Sequence, residues 1–379
     1  MDHAPRHVVV FNWRDTRHPL GGGSETYIES IAEQLCARGH RVTIVCAHYP
    51  GAARRERRGE VEFIRRGGRL SIYGWAAALY LAGAVGLGPL AKRRLGRPDV
   101  VIDVGNGLPF LSPLYVRVPV IELVHHVHRE QWPVVMGPRL ARFGWWVESW
   151  LAPRVYRRCR YVTVSEATRA ELVELGVDAD RITVVHNGTP PVAGEPTPRA
   201  ERPHLVALCR LVPHKRVEVA IRAVAELAPR WPDLTLTVAG QGWWEQELRE
   251  FATSLGVSDR VHFAGYITEE EKHELFSRAW IALTPSIKEG WGLTIVEAGA
   301  RGTPTVAMAG AGGVAEAIID GESGLLAVDE DHFVALVGEL LGDDARRDAM
   351  GVIAAKHAQS FTWEQSGARF ASLIEAAEG

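Results

Sequence analysis

Short apolar runs bounded by turn residues alternate along the chain with stretches whose apolar positions recur every three to four residues. The first series reads HVVVFNW, ETYIESIAEQLCARG, HRVTIVCA, PDVVIDVG, PVIELVHH and YVTVS. Brief aliphatic runs of this kind predict buried strands, and the helical period between them predicts helices. Such alternation predicts βαβ units around a parallel sheet. A second series repeats it: HLVALCRL, VEVAIRAVAELAPRW, LTLTVAG, QELREFATSLG, RVHFAGY, EEKHELFSRA, WIALTPS, LTIVEAGARG and TPTVAMA. Between the two lies NGTPPVAGEPTPRAERP, rich in proline and glycine, which predicts a linker. The expected architecture is therefore α/β: two doubly wound, Rossmann-like domains facing a central cleft, over residues 1–190 and 204–379, joined by a linker at 191–203. The helix-patterned end, with Phe370, Leu373 and Ile374 on one face, is expected to close the second domain.

Two features complicate that pattern without changing it. LSIYGWAAALYLAGAVGLGPL, residues 70–90, is nearly uncharged and approaches the length of a membrane span. Its glycines and alanines make it weakly hydrophobic, and insertion would break up the domain around it. A buried or interfacial helix is the expectation. Neither the short polar start nor HVVVFNW reads as a secretory signal.

A length of 379 residues suits two domains, and 46% hydrophobic with 23% charged residues describes a globular chain without low-complexity tracts. Cys36, Cys46, Cys159 and Cys209 lie far apart, signalling neither a disulfide frame nor a zinc site, and fit a reducing cytoplasm. The net charge of −3 conceals a basic first half and an acidic second half. Residues 1–190 carry 26 basic against 18 acidic residues, and residues 191–379 carry 17 against 28. A basic half suits either an anionic membrane or a phosphorylated acceptor, or is simply a solvated face. Tryptophans mixed with arginines across residues 129–160 fit peripheral contact at the inner face of a membrane, or core packing. No basic motif of the nucleic-acid-binding kind is present.

Three segments carry candidate chemistry. In HPLGGGSETY, Gly21, Gly22 and Gly23 let backbone amides approach a ligand, and Ser24 is expected to cap a helix beginning near Glu25. The dinucleotide fingerprint is absent, and a plain flexible loop is the other reading. In LCRLVPHKRVEVAIRA a strand delivers Arg210 and then Lys215 just before a helix, a pair suited to a diphosphate or to a solvated helix start. In KEGWGLTIVEAGA, Glu289 falls on the loop after the strand WIALTPS, where ligands of doubly wound sheets bind. Free amides near Gly292, Leu293 and Thr294 suit phosphate oxygens. Glu297 lies more than a turn further on, so the two acids are placed to accept hydrogen bonds from different hydroxyl pairs rather than to share one metal.

Together GGG, CRLVPHK, VAGQG, VHFAGYI, KEGWGLTIVEAGARGTPTVA and AGGVAEAI resemble the retaining glycosyltransferases of family 4, in that family's order and over nearly the whole chain. The resemblance implies the two-domain GT-B fold, transfer of a sugar from a nucleotide donor with retained anomeric configuration, and no obligatory metal or other cofactor. It implies that Arg210 and Lys215 neutralise the donor diphosphate, and that Glu297 holds the ribose. Glu289 and the amides of Gly290 and Trp291 would hold the donor sugar. Gly240 and Gly242 would line the nucleotide pocket, with Tyr266 and Ile267 near the base. Gly22 and Gly23 would approach the diphosphate from the first domain, and His125 matches the family's histidine near the donor sugar.

This chain departs from the family's usual pattern at His214, commonly Glu, and at Trp291, commonly Phe. Three histidines in HHVHRE also suit a metal in spacing, but no carboxylate or cysteine cluster accompanies them. The acids at Asp329–Asp331 read as a solvated turn. Domain closure is expected to exclude water, and same-face attack by the acceptor is favoured because no carboxylate nucleophile stands out. Other functions fit as well: a sugar-nucleotide epimerase or a phosphorylase on the same architecture, and, from a different class, a non-catalytic sugar-nucleotide-binding partner of another enzyme. The sequence leaves the donor open among UDP-, GDP- and other sugars, and leaves the acceptor open.

Overall fold

The computed structural model describes residues 4–189 and 197–377. The chain divides into two compact units, Met1–Gly188 with Trp363–Gly379, and Thr189–Thr362. Of the expected linker at 191–203, residues 191–196 lie outside the described residues.

Unit 1 contains strands β1 (His7–Phe11), β2 (Arg41–Cys46), β3 (Arg55–Arg58), β4 (Val61–Arg65), β5 (Val100–Val104), β6 (Val120–Val124), β7 (Arg160–Thr163) and β8 (Ile182–Val184). They form one sheet in the order β3-β4-β2-β1-β5-β6-β7-β8. Every pairing is parallel except β3 with β4. Helices α1 (Gly23–Ala37), α2 (Ile72–Ala84), α3 (Trp132–Val135), α4 (Pro138–Trp146), α5 (Ala152–Val155) and α6 (Glu166–Glu174) connect them. Every residue of β1, β5 and β6 is buried, because helices cover both faces of a parallel sheet and leave no polar side to alternate with. The β3–β4 hairpin was not foreseen. Its outer strand, RERR, is charged along its length, which discourages pairing with another chain at that edge.

Unit 2 contains β9 (His204–Leu208), β10 (Thr235–Ala239), β11 (Val261–Gly265), β12 (Ile281–Thr284), β13 (Thr305–Met308) and β14 (Gly324–Ala327), all parallel, in the order β11-β10-β9-β12-β13-β14. Its helices are α7 (Val217–Leu227), α8 (Glu245–Ser254), α9 (Glu269–Arg278), α10 (Leu293–Ala300), α11 (Val314–Ala317), α12 (Glu330–Leu341) and α13 (Asp344–Ala358). Its main core joins Leu205, Ile221, Leu236, Leu283 and Phe333, taken from both sheet and helices.

The final helix, α14 (Trp363–Glu375), corrects the expected domain plan: it belongs to unit 1, not to the second domain. It packs along α1. Arg6 Nη1 donates to the Ile374 carbonyl at 2.7 Å, Arg38 Nη2 to the Glu364 carbonyl at 2.8 Å, and Ser366 Oγ to the His186 carbonyl at 2.7 Å. The apolar stripe of Phe370, Leu373 and Ile374 is buried as its spacing implies. Such a stripe says that a helix needs a partner but not which one.

Residues 70–90 supply α2, which buries Ile72, Ala76, Leu79 and Tyr80 and leaves Trp75 and Leu81 exposed. Among the described residues no helix is long and apolar enough to cross a membrane.

Candidate functional site

In unit 2 the chain runs from β9 outward to β10 and β11, then returns to the other side of β9 for β12, β13 and β14. The order therefore reverses between β9 and β12, and a crevice opens at the carboxyl ends of those strands. Both charged segments singled out from the sequence end there. After β9 the chain passes exposed Arg210 into the short turn Pro213–Lys215, and after β12 it reaches Ser286 and Glu289. Lys215 Nζ lies 2.6 Å from Glu289 Oε1, and Ser286 Oγ donates to the same oxygen at 2.7 Å. Burial would raise the Glu289 pKa, but the Lys215 charge and the hydrogen bonds from Lys215 and Ser286 outweigh it and hold the carboxyl below the ordinary glutamate value. Its backbone is fixed as well, donating to the Ala311 carbonyl at 2.9 Å and accepting from Gly313 N–H at 3.2 Å.

Arg216, directly after Lys215, has a φ of 51°, a left-handed conformation that residues with a side chain seldom adopt. Its guanidinium is anchored to Glu330. The acidic turn at 329–331 thus does more than face water: Asp329 caps α12 through His332 N–H at 2.8 Å, and Asp331 pairs with Arg222 at 2.8 Å.

Helix α10 starts from Gly292, whose φ of 93° sends the chain round the turn and which has no side chain to cap the first amides. Gly290 and Trp291 precede it. The Trp291 ring turns inward, 3% exposed, edge-on to Phe361 at 4.8 Å. Glu297, on the buried face of α10, carries a partner that sequence inspection missed. Lys272 Nζ of α9 lies 2.6 Å from Glu297 Oε1 and 2.7 Å from Glu269 Oε2. Burial lowers the lysine pKa, but its two carboxylates reverse that and raise it. Glu297 has one cation, so burial prevails there and its pKa is raised. The signal available was a lysine in the middle of a helix segment, four residues after Thr268, which looks like any exposed position.

Gly240 and Gly242 follow β10. Gly240 has a φ of 118°, and a Cβ at either glycine would overlap a carbonyl oxygen, of Cys209 and Leu211 respectively. The β10 exit therefore lies directly on the segment leading to Lys215. Gly242→Ala is expected to lower the free energy of unfolding by about 1–3 kcal/mol, read from the urea midpoint, because the backbone must move to admit the methyl group. Tyr266, 76% exposed, and Ile267 follow β11 at the same edge of the sheet.

In unit 1, the glycine loop after β1 enters α1, but the cap is Gly22 rather than Ser24. Glu25 reaches back to accept from Gly22 N–H at 2.8 Å and takes Ser24 Oγ at 2.8 Å, so the acid does the work expected of the serine. Buried Arg14 pairs with Glu25 at 2.9 Å. One turn past Gly23, Tyr27 meets the His125 ring edge-on at 5.2 Å. His125 directly follows β6 and is 5% exposed, and its Nε2 has no hydrogen-bond partner among the described residues. Burial, helped by His128 and Arg14, pushes its pKa down to about 3, so the imidazole is neutral at ordinary pH. The other histidines of HHVHRE are engaged elsewhere, His126 with Gln131 at 3.0 Å and His128 with Glu148 at 2.8 Å.

Two doubly wound, mainly parallel-sheet units with a cation–carboxylate pair at the switch point of one define an α/β chain of the ligand-binding, Rossmann-like class. Comparison with known proteins makes it particular. Residues 21–192 match the model of Glycosyltransferase Family 4, and residues 194–357 that of Glycosyl transferases group 1. Over 384 residues, 94% of this chain and 95% of the relative, it is 30% identical to a GDP-mannose-dependent alpha-(1-6)-phosphatidylinositol monomannoside mannosyltransferase of Mycolicibacterium smegmatis. It is 28% identical to a glycogen synthase of Mycobacterium tuberculosis, covering 98% of the chain and 95% of the relative. The structure of a sucrose-phosphate synthase from Thermosynechococcus elongatus superposes with a TM-score of 0.81 over 98% of each chain at 19% identity. The chain belongs to the family 4 glycosyltransferases and has their GT-B fold.

Proposed function

We propose that the chain transfers a hexose from a nucleoside-diphosphate sugar to an acceptor hydroxyl, retaining the anomeric configuration and needing no metal. The observation that carries this is the Lys215–Glu289 pair at the switch point of unit 2, beside the uncapped start of α10. Lys215, Arg210 and the amides of Gly292, Leu293 and Thr294 face the diphosphate and supply the positive charge that a metal would otherwise bring. Glu289, ionised, accepts from the sugar hydroxyls, and Glu297 uses its second oxygen for the ribose. Neutral His125, with its unbonded Nε2, is suited to accept or donate one hydrogen bond to a sugar hydroxyl. In the reaction the anomeric carbon–oxygen bond to the diphosphate breaks while the acceptor oxygen bonds to the same face of that carbon. The acceptor proton passes to the departing phosphate oxygen.

Likeness to the mannosyltransferase makes GDP-mannose the first donor to test. That relative's lipid acceptor, and the basic character of residues 1–190, favour a lipid-borne acceptor met at the cytoplasmic face of a membrane. The four cysteines are free, which suits that compartment. A ligand that binds only the folded state raises the melting temperature by mass action. Of GDP, UDP, ADP and dTDP, one is expected to do so at millimolar concentration, without divalent cation and with EDTA present, and the Arg210→Ala, Lys215→Ala double variant is expected to lose the shift. A flat response to all four, or an unchanged shift in the double variant, would sink the proposal.

A further inference from the structure

Residues 138–155 form one continuous helical run, α4, a wide π turn at Val147–Leu151, and α5. Its inner stripe is accounted for. Ala141, Gly144 and Val147 are buried, and Gly144 sits so close to the Trp132 ring that a Cβ would overlap it. The outer stripe has no such cover. Leu140, Phe143, Trp146 and Trp150 are 62%, 56%, 45% and 45% exposed. Trp146 and Trp150 stack at 5.3 Å with their planes 19° apart, and Phe143 lies 6.0 Å from Trp146. A bare aromatic ridge on water is costly, since each ring keeps apolar surface hydrated.

The exposed charges along the run itself are of one sign. Arg139, Arg142, Arg154, Arg157 and Arg158 are all exposed along or just beyond the run. The Arg154 guanidinium lies over the Trp150 ring at 4.2 Å and donates to the Trp150 carbonyl at 2.8 Å, which fixes a positive charge at the rim of the ridge. Between Gln131 and Ser165 the only acid is Glu148. It is turned inward, accepting from Trp132 Nε1 at 2.8 Å and meeting His128 Nδ1 at 2.8 Å. An apolar stripe of Leu, Phe and Trp with an arginine rim and no exposed acid is the make-up of a helix that lies in a bilayer interface, rings among the acyl chains and guanidinium groups on lipid phosphates.

We infer that the outer face of helix 138–155 docks unit 1 onto an anionic lipid surface, with Phe143, Trp146 and Trp150 inserted and Arg139, Arg142 and Arg154 on the headgroups. A second copy of this chain is the poorer occupant: a two-fold contact would bring the arginine rims face to face with no acid between them. The inference deepens the lipid-borne acceptor of the proposed function, but the docking itself needs neither donor nor acceptor. Failure of one is therefore distinguishable from failure of the other.

The test is flotation of the full chain, without nucleotide, on vesicles of phosphatidylcholine alone and of phosphatidylcholine with phosphatidylglycerol. The native chain is expected to float with the anionic vesicles, to be displaced by high salt, and to bind the neutral ones weakly. Trp146→Ser with Trp150→Ser, and separately Arg139→Glu with Arg142→Glu, are each expected to weaken binding by roughly ten-fold or more. Both should keep the native melting temperature and its shift with the nucleoside diphosphate, which separates lost docking from lost folding. Absence of native binding to anionic vesicles, or binding that both double variants retain, overturns the inference. So does a dimer in sedimentation that the tryptophan variant abolishes, since a second copy then covers the ridge.

Discussion

Replacing Lys215 with alanine is expected to lower the rate constant for sugar transfer by roughly a hundred- to a thousand-fold, the loss typical when one preorganised donor to a developing anion is removed. Two effects combine in that variant. On the proposed function the departing diphosphate loses an ammonium, and Glu289 loses the cation that holds its pKa down against burial. The second effect has a sign that can be measured. In the native chain a depressed glutamate pKa adds stability above the ordinary glutamate value, and that contribution is lost as pH falls through the lower folded value. Without Lys215 the Glu289 pKa moves up, so the acid limb of the pH–rate profile moves up with it. Lys215→Arg keeps a charge and should leave that limb near its native position while still lowering the rate. An acid limb that stays put in Lys215→Ala would show that the pair does not set the ionisation of Glu289.

Lys272→Met is expected to destabilise unit 2 by about 3–5 kcal/mol, because it leaves Glu297 buried without its cation. Lys272 has a raised folded pKa, so the stability it contributes is complete below the ordinary lysine value and is lost as pH rises through the higher folded one. Glu297 also has a raised pKa, so its burial favours the protonated form and costs stability as pH rises past the glutamate range. Removing Lys272 exaggerates that cost. The variant should therefore melt at progressively lower temperature from mildly acidic to mildly alkaline buffer, along a steeper course than the native chain. Nucleotide affinity should fall in parallel, and a 2′-deoxyribose nucleotide, which lacks a hydroxyl for Glu297, should lose less affinity than the ribose form. Equal losses for the two nucleotides would mean that Lys272 supports the fold alone.

The strands that carry the site were legible because they are buried on both faces and therefore read as continuous apolar runs. HLVALCRL and WIALTPS located β9 and β12, and with them the ends at which Lys215 and Glu289 appear. That these two side chains meet was not legible, because 74 positions separate them and only the strand order places their ends side by side. The same limit hid Lys272, whose partner Glu297 is on another helix. It also hid Asp103 within the run VVIDV. That acid accepts from Phe110 N–H at 3.0 Å, Ser112 N–H at 3.1 Å and the Tyr156 hydroxyl, fixing the chain after β5. The cap of α1 was misplaced for a local reason. A serine and a glutamate both follow the glycines, and the glutamate reaches back to the first amide while the serine hydroxyl donates to that glutamate.

The return of α14 to unit 1 makes that unit discontinuous, with the whole of Thr189–Thr362 inserted before its last helix. Chains emerge from the ribosome amino end first, and compact units tend to form as soon as their sequence is complete. Unit 2 is thus whole while α1 still lacks its neighbour, and Phe370 and Ile374 reach α1 only after all of unit 2 has been made. A chain truncated after Thr362 should consequently protect its second half from protease and leave its first half open, the reverse of the order in which they are made.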